Sequence, residues 1–164
     1  MKFLSVSVIF LLIGSLSFAG NIVDHPFFKA VTGEWVGEGS LTNADGEEIP
    51  IREEWKAAIN DEGGFSVQGN RQWGEDGQEF RWVYMLNQAT ELYECEYWHT
   101  GMEAPIQFQV QLSDTEVKLT TPIGGGELKV QNRLEGGTLV GGITLVGGGD
   151  QVSLNGTVTH KKKK

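Results

Sequence analysis

Residues 60–98 read NDEGG-FSVQGNRQW-GEDG-QEFRWVYML-NQAT-ELYECEYW, and this stretch decides the fold. Three runs of alternating character, Phe65 to Trp73, Phe80 to Leu86 and Leu92 to Trp98, are separated by short clusters of Asn, Asp and Gly. A period of two places Phe80, Trp82, Tyr84 and Leu86 on one face and Arg81 on the other, which is the pattern of a half-buried strand. The turn clusters are too short for a crossover helix, so each run returns antiparallel beside the last.

The same reading extends in both directions. Upstream, Ile49 to Ile59 forms a strand with Ile49, Ile51, Trp55, Ala57 and Ile59 on one side and Arg52, Glu54 and Lys56 on the other. Before it, Trp35 to Gly39 leads into Asn43-Ala44-Asp45-Gly46, a turn signal because Asp and Gly tolerate positive φ. Downstream, strands are expected at Ile106–Leu112, Val117–Thr121, Leu128–Leu134, Leu139–Val146 and Val152–Thr159, divided largely by glycine-rich turns. A meander of about ten strands with one apolar face buries that face and removes its edges by closing on itself. The expected fold is therefore all-β, a single antiparallel up-and-down barrel of about ten strands. Ahead of it, His25-Pro26-Phe27-Phe28-Lys29-Ala30-Val31 predicts a short helix, with Pro26 at its first position, that plugs one end.

The chain opens with a positive Lys2, an apolar run through Ile13, and Ser17-Phe18-Ala19 before Gly20. That is the pattern of an export signal cleaved after Ala19. The expected organisation is a signal peptide at 1–19, a barrel domain at 20–160 and a basic tail at 161–164. Without the signal peptide no integral membrane segment is expected, and the location is periplasmic or secreted. The formal charge is −9, and removal of the leader with its single Lys2 takes it to −10. Phosphate backbones require a basic surface, so nucleic acid is excluded as a partner. The four lysines 161–164 read as a frayed, solvated end. Cys95 is the only cysteine, so the fold has no internal disulfide and pairing between chains requires an exposed thiol. A monomer is expected.

Few residues carry chemistry. Three histidines are too scattered for a metal cluster, and no metal site is expected. The triple-glycine runs lack the Lys-Ser/Thr of a phosphate loop, and no serine sits in a nucleophile elbow. On the fifth strand the inward set is Tyr93, Cys95, Tyr97 and His99, which puts His99 near the barrel mouth. His160 beside the lysines is expected to be solvated. If Glu53 points inward beside Trp55, and Arg71 beside Val67 and Trp73, the two face each other on adjacent strands. Buried charges need such partners.

The segments His25-Pro26-Phe27 and Gly33-Glu34-Trp35-Val36-Gly37-Glu38-Gly39 resemble the opening of calycin-type barrels, the lipocalin and fatty-acid-binding-protein-like superfamily. In these a Gly-x-Trp on the first strand seals the barrel floor. The chain is similar in particular to the ten-stranded nitrobindin-like group and to uncharacterised secreted bacterial families that close on a basic run, here Val158-Thr159-His160-Lys161. The resemblance implies a structural Trp35. It also implies haem held by a histidine of the last strands, but Val152 to Val158 contains none, which leaves His99 or His160 as axial ligands.

The expected function is binding of a small, largely apolar molecule inside the barrel, with Trp55, Arg71, Phe80, Trp82, Tyr84, Tyr97, His99 and Phe108 at the site. Two alternatives stand beside it: an enzyme in which Glu53, Arg71 and His99 converge, and a filled barrel that acts through its surface.

Overall fold

Strand β1 (Gly33–Asn43) is followed by β2 (Glu48–Ile59), β3 (Phe65–Trp73), β4 (Asp76–Asn87) and β5 (Leu92–His99). The second half comprises β6 (Ile106–Leu112), β7 (Glu116–Ile123), β8 (Gly126–Glu135), β9 (Thr138–Val146) and β10 (Val152–Lys162). Each pairs antiparallel with its successor and β10 pairs with β1, so the sheet closes into a barrel without free edges. The computed structural model describes residues 21–147 and 152–164; the expected signal peptide lies outside them, as does part of the turn before β10. Among the described residues no helix is long and apolar enough to cross a membrane.

The turns form for local reasons. At the first hairpin the Asn43 side-chain oxygen accepts from the backbone N–H of Asp45 (3.1 Å) and Glu47 (2.9 Å), while Gly46 takes φ +80°. An Asx turn followed by a left-handed residue reverses the chain at little steric cost.

One end is stopped by a short helix, α1 (Pro26–Val31), capped by His25, whose Nδ1 accepts from the Phe27 N–H. It buries Phe27, Phe28 and Val31. Phe28 packs on Phe65 and Tyr84 with ring centroids 4.6 and 5.2 Å apart. Full burial of one such phenyl group contributes about 1.5–3 kcal/mol, enough to hold two helical turns that would not persist alone. Trp35 joins helix to barrel: its indole N–H donates to the Val31 carbonyl at 2.8 Å.

Alternation holds on the strands that matter. Ile51, Glu53, Trp55 and Ala57 are buried along β2, and Cys95 and Tyr97 along β5, with Leu92 and Trp98 outside. Ile59, expected inward, is 41% exposed where β2 meets its turn. Burial also pushes the Cys95 thiol far above its usual range, so the folded chain offers no accessible thiolate for cross-linking.

The tail departs from the sequence reading. Strand β10 continues through Lys162, with Lys161 opposite Val36 and Lys162 opposite Trp35, and the Lys163 N–H donates to the Glu34 carbonyl. Closure is the reason: β1 begins at Gly33 and its N–H and C=O groups need a partner along their whole length, so the lysines are drawn into the sheet and only their side chains remain in solvent.

Candidate functional site

The interior holds a cavity of about 350 Å³. One row of side chains crosses its wall. Leu139 pairs with His160, His160 with Gly37, Gly37 with Glu53, Glu53 with Arg71, and Arg71 with Gln78, on six successive strands from β9 to β4. Neighbouring strands are about 4.8 Å apart, so residues two strands away meet only if nothing stands between them. Gly37 stands between His160 and Glu53 and has no side chain. The imidazole fills that gap and its Nε2 reaches Glu53 Oε2 at 2.7 Å.

The other carboxylate oxygen of Glu53 accepts from Arg71 Nε. Arg71 Nη1 donates in turn to the Tyr97 hydroxyl at 3.3 Å. The guanidinium is held flat by aromatic rings, with Trp73 at 5.0 Å and Phe80 at 4.8 Å from its central carbon. Burial alone would push the Glu53 carboxyl up. The Arg71 guanidinium and the His160 ring outweigh it and hold the group below its ordinary value.

An ionised Glu53 only accepts, so His160 Nε2 must carry a proton. Its Nδ1 lies 3.2 Å from the Leu139 carbonyl, which also only accepts. Both ring nitrogens therefore face oxygen acceptors.

This corrects the sequence reading of His160 as solvated: the residue is 3% exposed. His99 was the histidine expected to converge with Glu53 and Arg71. It lines the cavity, but its Nδ1 donates to the Thr100 carbonyl at 2.8 Å, and the ring that closes on Glu53 belongs to His160. The expected Glu53–Arg71 pair is present across β2 and β3. Trp55, Phe80, Tyr84, Tyr97 and Phe108 are buried along the cavity wall, and Trp82 and Arg71 line it half-buried. Trp82 stacks between Tyr97 (4.2 Å) and Phe108 (5.4 Å), so one side of the cavity is aromatic, while β9 and β10 bring Gly141, Gly142 and Gly156 to the other. Above the charged belt a second apolar cluster of Leu41, Ile51 and Val158, with Trp73, Ile143 and Leu154 against it, lines the rest.

His160 fits iron ligation poorly: its two ring nitrogens are taken up by Glu53 and the Leu139 carbonyl, which leaves no lone pair for a metal. Among the described residues no group of three or more His, Cys, Asp and Glu could hold a metal ion.

Gly37 gives a direct test of the row. A Cβ there would sit 2.1 Å from His160 Cδ2 and 2.6 Å from Nε2. Gly37→Ala should therefore lower the urea midpoint by the equivalent of about 1–3 kcal/mol. An unchanged midpoint would mean that the imidazole does not occupy the space over Gly37.

No protein-family model matches the chain, and no curated protein matches it. Solved structures do. The S-type phycobiliprotein lyase CPES from Guillardia theta aligns at 13% identity over 84% of this chain and 91% of its own, with a TM-score of 0.57. Rv2717c from M. tuberculosis aligns at 12% identity over 82% and 94%, with a TM-score of 0.60. A protein of unknown function of the DUF3598 family from Nostoc punctiforme PCC 73102 aligns at 13% over 83% of this chain, which spans 49% of that one, with a TM-score of 0.54. At these identities the likeness is one of fold. It shows a fold shared with these three proteins and adds nothing for the nitrobindin-like group in particular.

Proposed function

We propose that this protein is an exported binding barrel that encloses a small, largely apolar molecule. The observation that carries the reading is the cavity itself. At about 350 Å³ it lies within the range of small-molecule sites, about 300–1,000 Å³, and its wall is aromatic and aliphatic apart from a single charged belt. A side-chain-filled barrel acting through its surface would leave no such space. Within the belt, Glu53 and His160 are bound to each other and to fixed partners, an arrangement that favours orienting a ligand over exchanging protons with it. One neighbour of the same fold is named as a phycobiliprotein lyase, which lends support to a barrel of this type serving a small-molecule role. The leader at 1–19 supports export to the periplasm or beyond, and the buried Cys95 is in keeping with a monomer.

An uncharged solvatochromic dye such as Nile red should bind the folded protein saturably at close to one per chain, and Trp82→Ala, which opens the aromatic wall, should weaken it about tenfold or more. A well-folded sample that binds no dye would return the filled barrel as the better reading.

A further inference from the structure

The plug is capped by a base. Its first turn opens with Pro26, which carries no N–H, and continues with the buried Phe27, whose N–H donates to His25 Nδ1 at 3.3 Å. A backbone N–H can only donate, so Nδ1 keeps its lone pair and the ring is neutral while the cap is made. The ring is half-buried, edge-on to Phe28 of its own helix at 5.8 Å and to Tyr93 of β5 at 6.2 Å. Few charged or titratable groups surround it. Tyr93 is kept neutral by burial, Asp24 is engaged by Lys29 at 3.3 Å, and the Asp114 carboxylate acts on the ring from the turn between β6 and β7. Burial outweighs Asp114 and holds the imidazole below its ordinary value of 6.5.

The plug is also the floor of the cavity, because Phe27 and Val31 line it. Its two ends are held by different means. At the C-terminal end the Val31 carbonyl accepts from the Trp35 indole, and the Phe28 carbonyl accepts from both the N–H and the hydroxyl of Thr32, bonds with no titratable member. At the N-terminal end the Phe27 N–H rests on an imidazole that can take up a proton. We propose that His25 is a proton-operated latch on the plug: neutral, it caps α1 and keeps the floor shut; protonated, it releases the first turn and opens the cavity at the floor, with the Val31–Trp35 end as the hinge. A protonated Nδ1 turns its own N–H toward that of Phe27, so repulsion replaces the bond and a buried donor is left without an acceptor. The new cation also sits at the positive end of the helix. Ile22, buried ahead of the cap, keeps the released turn attached, so the opening is local. The folded state favours the neutral ring, so the latch is fully set above about pH 6.5 and is lost as the pH falls through the lower folded value.

The test is amide hydrogen exchange at about pH 7.5 and about pH 5, on either side of the histidine range, read as protection factors so that the intrinsic pH dependence of exchange drops out. Strand β4 serves as the internal reference. In the wild-type protein, protection of the α1 amides should fall about fivefold relative to β4 on acidification, the effect of losing one helix cap. His25→Asn, whose side-chain oxygen caps without titrating in this range, should hold its protection at both values, and His25→Ala should be low at both. A wild-type plug with unchanged protection, or a fall of the same size in His25→Asn, would overturn the latch. The second arm is the dissociation of bound Nile red, and it rests on the binding reading above: its rate should rise about fivefold on the same acidification in wild type and stay level in His25→Asn. Dissociation that ignores pH while the plug loosens would overturn the opening of the cavity at its floor. A folded protein that binds no dye would overturn the binding reading, and the exchange arm, which needs no ligand, would still decide the latch.

Discussion

Glu53→Ala is expected to destabilise the fold by about 3–5 kcal/mol, because it removes the carboxylate that the buried Arg71 and His160 side chains share. In the intact row the carboxylate takes one hydrogen bond from Arg71 and another from His160, on opposite sides and from strands on either side of β1 and β2. Without it, the buried guanidinium loses its counter-charge and the imidazole its acceptor, with the His160 ring still fixed at its other nitrogen by Leu139. Glu53→Gln keeps the shape and one acceptor, and should cost less. The origin of the loss can be isolated with a His160→Phe background, where one of the two donors to the carboxylate is already gone: the further cost of Glu53→Ala there should be clearly smaller than in wild type, since residues sharing a network do not add. Strict additivity in urea unfolding would show that the three residues do not act as a unit.

The same carboxylate sets the acid limit. Its folded value lies below the ordinary 4.5, so the folded state favours the ionised form. That contribution is fully present above about pH 4.5 and is lost as the pH falls through the depressed folded value. Wild-type stability should therefore drop on acidification more steeply than that of Glu53→Gln, which has no proton to take up at this position.

Which parts of this were legible in the sequence follows from period and length. Phe65–Trp73 and Ile106–Leu112 are strands at the expected boundaries because their alternation is clean and their flanks are turn-forming. The Glu53–Arg71 pair was legible for the same reason, since both residues share parity with buried aromatic neighbours. His160 was misjudged on its company: directly before a run of four lysines, it looks solvated. Its parity said otherwise, for Gly156 and Val158 alternate inward ahead of it, and the next residue in that series is His160. What no single strand could reveal is the gap over Gly37. A glycine in a strand reads as a weak point or a bulge, and only the pairing of β1 with both β2 and β10 shows that it lies between an acid and a base. The lysine strand was hidden likewise, because its extent is fixed by its partner β1 and not by its own residues.

Trp35→Ala should match the Glu53 variant in stability, at about 3–5 kcal/mol, yet differ from it in every other respect. The indole is 1% exposed and stacks on Trp55 with centroids 5.5 Å apart at 21°. Lys162 lies over its ring at 5.4 Å, and its N–H holds the C-terminal end of the plug through Val31. Truncation would leave a void at the floor, free the last carbonyl-bonded turn of α1 and unseat the start of β1 where β10 ends. Trp35→Phe separates these contributions: it keeps much of the ring but leaves the Val31 carbonyl without its donor, for a loss of about 1–3 kcal/mol. Trp35 does not line the cavity, so dye affinity measured where each variant is still folded should change little. Glu53→Ala, by contrast, alters the charge at the centre of the proposed site. A Trp35→Ala protein that kept its denaturant midpoint but lost the dye would move this residue from the floor of the barrel into the binding site.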